Sequence, residues 1–313
     1  PDAGGNYIEN NIGIGHRRLS IIDTREVSNQ PMHSNSNIWH LVFNGEIYNF
    51  EEIKSQLNYN FKTISDTEVI LAAVEEKGLD WFINQANGMF AIALYNSETK
   101  DLFLVRDRLG IRPLYFYNDG DNFIFSSELN AILELKDIKS SLSINRTSIH
   151  QILITGFIHG QSSIFNEIKK ISPATISVFS IKRMTFINSR IYWSIENYNN
   201  ASKVFQDPYE EIERLLNNSV EDRLISDVPI CMFLSGGVDS SLVYSQALMH
   251  KPEMEAFTIS YKDYENDESI FAKQVVSTET KQSTEETYNQ TEDGTPVEDF
   301  SNSTWKTIEG QRS

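Results

Sequence analysis

The sequence predicts an α+β layered domain followed by the opening of a doubly wound α/β domain. From Ile12 to about Phe179, short runs rich in Val, Ile, Phe and Tyr alternate with turns and a few helical patterns, which is typical of stacked sheets and helices. From about residue 205, a helix, an apolar strand, a glycine loop, a second helix and a second strand follow one another. That order is typical of a parallel sheet covered by helices.

The first domain contains one well-marked helix and one well-marked hairpin. Ser65 and Glu68 have the spacing of a capping box, apolar residues then share one face, and Gly78 stands where a helix ends. The string "NDGDN" at 118–122 predicts a hairpin turn between two strands. A second, shorter helical pattern runs through "EEIKSQL".

The second domain begins after a polar segment near residues 195–208, which predicts a linker. Asp207 as N-cap and Pro208 at the first helical position predict the start of a helix. The run "VPICMFL" then predicts a strand that is buried on both faces and holds Cys231 in the core.

The predicted boundaries place one domain at 1–195 and a partial second domain at 205–276. From about Val276, Ser, Thr, Glu and Asn dominate and no hydrophobic period is visible, so we expect a disordered tail over 277–313.

Composition excludes several classes of protein. The formal net charge of -17 argues against a nucleic-acid surface, and no apolar run approaches the roughly 20 residues of a membrane span. The single cysteine excludes an internal disulfide and a cysteine-rich zinc site. We therefore expect a cytoplasmic protein that binds neither nucleic acid nor membranes.

The string "FLSGGVDSS" at 233–241 predicts a phosphate-binding loop between a strand and a helix. Gly236 and Gly237 allow the backbone to approach an anion where the helix dipole favours it, and Ser235 and Ser240 add hydroxyl donors. Asp239 fits beside phosphates if a Mg²⁺ ion lies between them. The alternative is a tight connection without a ligand, and the Walker lysine pattern is absent from the sequence.

Two further strings in the first domain carry polar groups suited to a ligand. Arg18 of "GHRRLSIID" could pair with a planar anion such as a carboxylate. Asn44 and Gly45 of "NGEIYN" could form an oxyanion hole. A surface salt bridge and a hairpin turn are the corresponding structural alternatives.

Taken together, these strings resemble the glutamine-dependent asparagine synthetases. The resemblance implies an N-terminal-nucleophile αββα sandwich, the class II glutamine amidotransferase domain, followed by a PP-loop ATP pyrophosphatase domain. In the first domain it implies that Arg18 pairs with the α-carboxylate of glutamine, Asn44 and Gly45 form the oxyanion hole, Glu46 helps to hold the substrate, and Asp66 of "SDTEVIL" takes the α-amino group.

In the second domain the resemblance implies a site for ATP and Mg²⁺. Asp239 is the expected metal ligand. The residues expected to bind ATP or pyrophosphate are Leu234, Ser235, Gly236, Gly237, Asp239, Ser240 and Ile259. Glutamine, aspartate and ATP are the expected small-molecule partners, and a homodimer is the candidate assembly.

The sequence departs from this family at its start and at one internal position. The family's nucleophile is an N-terminal cysteine, whereas this sequence begins with Pro1 and has Cys231 as its one cysteine. Ala174 stands where the family usually has glycine. We therefore expect a fragment that is inactive as given.

Three alternatives to asparagine synthesis stay open at this stage. A related ATP-dependent amide ligase would use another carboxylate substrate. A non-catalytic module would bind glutamine as a sensor or regulator. A PP-loop ligase fed by free ammonia is disfavoured, because it would not need the groups of Arg18, Asn44 and Asp66.

Overall fold

The structure is a computed structural model that divides into two compact units, Pro1–Ser202 and Lys203–Ser313. The residues it describes are 2–198, 207–260, 267–279, 285–288 and 305–309. The predicted linker at 195–208 falls largely outside these ranges. Among the described residues, no helix is both long and apolar enough to cross a membrane.

The first unit combines antiparallel strands with short helices. Its strands are β1 (Ala3–Glu9), β2 (Ile12–Arg18), β3 (Met32–His33), β4 (Trp39–Ile47), β5 (Gly88–Asn96), β6 (Asp101–Arg106), β7 (Tyr115–Asn118), β8 (Phe123–Ser126), β9 (Ile168–Lys170), β10 (Thr175–Ser180) and β11 (Thr185–Ile191). Its helices are α1 (Phe50–Lys54), α2 (Asp66–Lys77), α3 (Leu79–Gln85), α4 (Leu129–Leu133), α5 (Lys136–Ser141) and α6 (Arg146–Thr155).

These elements form four layers. Helices α1, α2 and α3 pack on one face of a six-stranded sheet of order β11-β10-β6-β5-β4-β3. The opposite face packs against the β1-β2 hairpin and the three-stranded sheet β8-β7-β9, and α4 and α5 cover that smaller sheet. The order helix, sheet, sheet, helix confirms the predicted αββα sandwich, which buries an apolar layer between each pair of neighbours.

The helix and the hairpin that local sequence patterns predict in the first unit are both present. Helix α2 begins after Ser65, whose Oγ accepts from the Thr67 N–H at 3.2 Å, and it ends at Gly78 with a φ of 89°. Glu68 differs from a capping box, because its carboxylate accepts from the N–H groups of Lys62 and Thr63. The predicted hairpin turn joins β7 to β8.

Two glycines bring β4 and β5 unusually close together near the ends of the strands. A Cβ on Gly45 would overlap the Met89 carbonyl oxygen, and a Cβ on Gly88 would overlap the Glu46 carbonyl oxygen. Neither position leaves space for a side chain, so glycine is required by packing at both. Ala174, where the family usually has glycine, adopts a φ of 51° and donates its N–H to the Asp107 carbonyl.

The second unit is an α/β arrangement with a parallel sheet of order β12-β13-β15-β14. Its helices are α7 (Pro208–Asp222), α8 (Val238–His250) and α9 (Ser269–Glu279), and its strands are β12 (Cys231–Phe233), β13 (Glu255–Ser260), β14 (Glu285–Tyr288) and β15 (Trp305–Glu309). Asp207 caps α7 by accepting from the Tyr209 N–H at 2.8 Å, with Pro208 next to it, as predicted. The predicted α/β class of this domain is confirmed.

The prediction that Cys231 lies in the core of the second unit was wrong. Cys231 is exposed, and Phe233 on the same face of β12 is 72% exposed. The prediction of a strand buried on both faces was wrong, because the apolar cluster covers only the face of Met232 and Leu234 among the described residues. The predicted tail at 277–313 includes the end of α9 and the strands β14 and β15, and its other residues lie outside the described ranges.

We predict that Gly88→Ala destabilises the first unit by about 1–3 kcal/mol, because an added methyl forces β4 and β5 apart. The matched control is Gly13→Ala, since a Cβ there would meet no atom within 4 Å. Urea denaturation of the two variants measures the difference. Equal midpoints for both variants would contradict the close packing of these strands.

Candidate functional site

The first unit contains a cavity of about 730 Å³ that opens beside strand β4. All five residues predicted to handle glutamine line it: Arg18, Asn44, Gly45, Glu46 and Asp66. They come from the end of β2, the end of β4 and the start of α2, which are far apart in sequence. The fold therefore assembles in one place the side chains that the sequence singled out separately.

Arg18 is buried and holds the loop that follows β2. Its Nη1 donates to the Arg25 carbonyl and to Asn29 Oδ1, each at 3.2 Å, and its Nη2 donates to the carbonyls of Ile22 at 2.9 Å and Asp23 at 2.7 Å. Burial lowers the pKa of Arg18, while the nearby Asp23 and other carboxylates oppose this shift. The guanidinium is thus already engaged by backbone carbonyls before any ligand arrives.

Asp66 is a buried carboxylate at the first position of α2. Its Oδ2 accepts from the Ile47 N–H at 3.1 Å, and its Oδ1 accepts from the hydroxyls of Ser65 at 3.3 Å and Thr67 at 3.5 Å. Burial raises the pKa of Asp66 to about 6, which these hydrogen bonds partly offset and the charge of Glu46 reinforces. A ligand ammonium group beside it would stabilise the charged form.

The backbone of β4 presents Gly45 between two anchored neighbours. Phe43 donates its N–H to Gln30 Oε1 at 2.6 Å, and Ile47 donates its N–H to Asp66. Because N–H direction alternates along a strand, the Gly45 N–H points to the same side as these two. Asn44 and Gly45 both line the cavity.

Sequence reasoning assigned no chemistry to several other residues that line this cavity. They are His16, Arg112, Ser126, Ser127 and Glu128. Burial lowers the pKa of His16, and the charge of Arg18 adds to this effect. Arg112 belongs to the string "RDRLGIRPLYF", and Ser126, Ser127 and Glu128 belong to "SSEL". Nothing in the spacing of either string indicates that it lines the same cavity as the predicted glutamine residues.

The glycine loop of the second unit has the geometry of a tight strand-to-helix turn. Gly236 adopts a φ of 78°, and a Cβ there would overlap the backbone N of Ala272 at the start of α9. Gly237 is the N-cap of α8 and no side chain caps that helix. Its N–H donates to Ser235 Oγ at 3.3 Å, and Ser235 Oγ lies 3.0 Å from Ser240 Oγ. Within the loop, the Gly237 N–H and the two serine hydroxyls are thus hydrogen-bonded to one another.

The remaining residues predicted for the nucleotide site differ in how far they are buried. Leu234 is buried in the apolar cluster, where its N–H donates to the Phe257 carbonyl at 2.7 Å, whereas Ile259 is 48% exposed. Asp239 is exposed in the first turn of α8. The described residues hold no group of three or more side chains suited to a metal, so a Mg²⁺ ion at Asp239 would take most of its ligands from phosphates and water.

Comparison with known proteins agrees with both halves of this description. Residues 1–193 match the sequence profile of the glutamine amidotransferase domain. This chain belongs to the glutamine amidotransferase domain family. Residues 211–300 of the same chain match the profile of asparagine synthase, so the predicted resemblance to glutamine-dependent asparagine synthetases is confirmed.

Curated relatives of this amidotransferase chain are named glutamine-hydrolyzing asparagine synthetases. A Methanocaldococcus jannaschii protein provisionally named asparagine synthetase (glutamine-hydrolyzing) 2 is 35% identical over 88% of the chain and 57% of its own length. Asparagine synthetase (glutamine-hydrolyzing) 3 of Bacillus subtilis is 34% identical over 84% of the chain and 43% of its own length. The chain thus spans about half the length of the curated relatives it matches.

One similar solved structure is the glutamine phosphoribosylpyrophosphate amidotransferase of Bacillus subtilis in complex with ADP and GMP. It is 14% identical, with a TM-score of 0.41, over 79% of this chain and 60% of that one.

We predict that Asp66→Asn raises the free energy of unfolding at neutral pH. The pKa of Asp66 rises from 3.8 to about 6 on folding, so between these values the folded chain holds a proton that the unfolded chain has released. Stability therefore falls as pH rises through this window, by about 3 kcal/mol in total. Urea denaturation between pH 4 and pH 8 should show that the free energy of unfolding of the variant increases relative to that of the wild type as pH rises. Parallel profiles would contradict the assignment.

Proposed function

We propose that the first unit binds L-glutamine in its cavity and that the full-length protein hydrolyses the glutamine side-chain amide there. The observation that carries this proposal is that Arg18, Asp66, Asn44 and Gly45 line one cavity. A cation and an anion suit the two ends of an amino-acid zwitterion. Amide donors on β4 suit the negative oxygen that develops when the amide is attacked.

The residues of this chain would bind and orient the substrate. Asp66 accepts the α-ammonium group, Arg18 faces the α-carboxylate, Glu46 helps to hold the substrate, and the donors at Asn44 and Gly45 hold the amide oxygen. Attack on the amide carbon requires a nucleophile such as the family's N-terminal cysteine thiol. We expect the 313-residue chain to bind glutamine without turnover.

For the second unit we propose ATP-dependent formation of asparagine from aspartate. ATP would bind with its phosphates at Ser235, Gly236, Gly237 and Ser240, and Mg²⁺ bound by Asp239 would offset their charge. Aspartate would be activated as its β-aspartyl adenylate with release of pyrophosphate, and glutamine-derived ammonia would then displace AMP. The match of residues 211–300 to asparagine synthase supports this reading.

The second candidate is a glutamine-binding module without turnover. Its support is that the five residues predicted to hold glutamine line one cavity, and binding alone requires no nucleophile. Release of glutamate and ammonia by the full-length protein decides between the two, because a sensor would bind glutamine and release neither.

Glutamine binding is the first test. We expect calorimetry to detect L-glutamine at pH 8 and binding to weaken as pH falls below about 6, because Asp66 then takes up a proton. Asp66→Asn should weaken binding by about 10- to 100-fold, the usual worth of a hydrogen bond to a charged group. The matched control is Glu98→Gln, at an exposed turn of the same unit. No binding by the wild type would refute the proposal.

ATP binding is the second test, and the two loop glycines separate folding from function. Gly237→Ala should leave the unit folded, since a Cβ there would meet only Ser235 Oγ at 3.4 Å, yet place a methyl where phosphates approach. We expect at least about a tenfold loss of Mg²⁺-ATP affinity by calorimetry. Gly236→Ala should unfold the loop instead. Unchanged ATP affinity in folded Gly237→Ala would refute the phosphate assignment.

A further inference from the structure

One edge of strand β4 has no neighbouring strand over its second half in the described part of the chain. The two-residue strand β3 pairs with His40 and Leu41 and begins only at Met32, and Pro31 just before it has no N–H to give to a ladder. Strand β4 continues to Ile47 and pairs with β5 on its other side without a break in register. The N–H groups on the open edge therefore need acceptors that are not a strand.

Gln30 supplies one of these acceptors with its side chain. Its Oε1 accepts from the Phe43 N–H at 2.6 Å, and its Nε2 donates to Thr67 Oγ1 of α2 at 3.5 Å. Because a backbone N–H can only donate, the group that faces Phe43 is the carbonyl oxygen of the amide. Gln30 is 6% exposed, and a Cβ on Gly5 of β1 would overlap its backbone carbonyl oxygen. The residue is thus held by β1, β4 and α2 together.

Two bonded N–H groups of β4 flank a third one on this edge. The Phe43 N–H is bonded to Gln30, and the Ile47 N–H is bonded to Asp66. Gly45 lies midway between Phe43 and Ile47, and its N–H points to the same edge because N–H direction alternates along an unbroken strand. The positions of the two side chains therefore fix the direction of the N–H between them.

The Gly45 N–H is the donor that this arrangement leaves available. Its register partner on β5 is Phe90, whose N–H and carbonyl both bond to Asp107 instead. Among the described residues, the structure shows no acceptor for the Gly45 N–H. Gly45 lines the cavity, as do Gln30 and Phe43. A ligand oxygen in the cavity is therefore a suitable acceptor for this donor.

We propose that Gln30 is a positioning residue for the site that takes the amide oxygen of the ligand. It holds the Phe43 N–H on one side, as Asp66 holds that of Ile47 on the other. The strand between the two bonds is thereby fixed, and the Gly45 N–H stays directed towards the ligand. Gln30 acts through β4 without touching the ligand. This inference rests on the proposed function, because it concerns the donor for the amide oxygen of glutamine.

The test compares two ligands that differ at the side-chain amide. L-Glutamine and L-norvaline share the α-ammonium group, the α-carboxylate and the carbon chain, and norvaline ends in a methyl group where glutamine has its amide. Calorimetry measures both affinities for the 313-residue chain, with displacement titration for the weaker ligand. Gln30→Met keeps the length of the side chain without the acceptor. We expect it to weaken glutamine binding by about 3- to 10-fold and to leave norvaline binding unchanged.

Hydrogen exchange measured by NMR tests the anchor itself. In Gln30→Met the Phe43 N–H has no acceptor, so its exchange should accelerate by about tenfold or more. Gln30→Glu keeps an oxygen acceptor at the same reach and should restore slow exchange. It should also restore the ratio of the two affinities, because its added charge acts equally on two ligands with the same α-groups.

Two further variants make the result specific. Gln56→Met removes an exposed side-chain amide just after α1 and should change neither the affinities nor the exchange of Phe43. If Gln30→Met does not fold, Gln30→Asn takes its place, since an amide one carbon shorter does not reach the Phe43 N–H.

The outcomes distinguish this inference from the proposed function. If the wild type binds glutamine and Gln30→Met weakens both ligands equally, or neither, the positioning role is refuted and the glutamine site stands. A loss for glutamine alone with unchanged exchange of Phe43 also refutes it, because Gln30 then contacts the ligand itself. If the wild type binds no glutamine, both fail. Faster exchange with a loss confined to glutamine, both reversed in Gln30→Glu, supports the inference.

Discussion

The cavity of the first unit depends on one buried carboxylate that joins two layers of that unit. Asp66 begins α2 and accepts the N–H of Ile47 at the end of β4, so helix and sheet meet at the place where the ligand would bind. Burial opposes its charge and raises its pKa to about 6. A group that costs stability at neutral pH and lies on a cavity wall is typical of a functional position.

The charges around this carboxylate have different tasks. Arg18 donates to acceptors in the loop after β2 and holds that loop in place. In the same loop, Asp23 accepts from Arg25 Nε at 2.6 Å and from the Ile64 N–H at 2.9 Å. That loop is thereby connected to the residues just before α2. The cavity also contains Arg112, whose backbone N–H donates to Asp107 Oδ2 at 3.0 Å.

The glycine residues show how far local sequence signals extend. Gly237 as N-cap of α8 and Gly78 at the end of α2 follow from local backbone rules. Gly45 and Gly88 are different, because their need for glycine comes from a neighbouring strand. Gly236 meets both requirements. Its φ of 78° is needed by the local turn, and the absence of a Cβ leaves space for α9.

The sequence by itself determined the order of elements, both fold classes, the family and five of the residues that line the cavity, because these depend on local propensity and on short motifs. Tertiary structure alone decided which acceptors Arg18 contacts, that Arg112 lines the same cavity as Asp66, and that Cys231 is exposed. Hydrogen-bond partners and burial are set by segments far away in sequence, so no local pattern could show them.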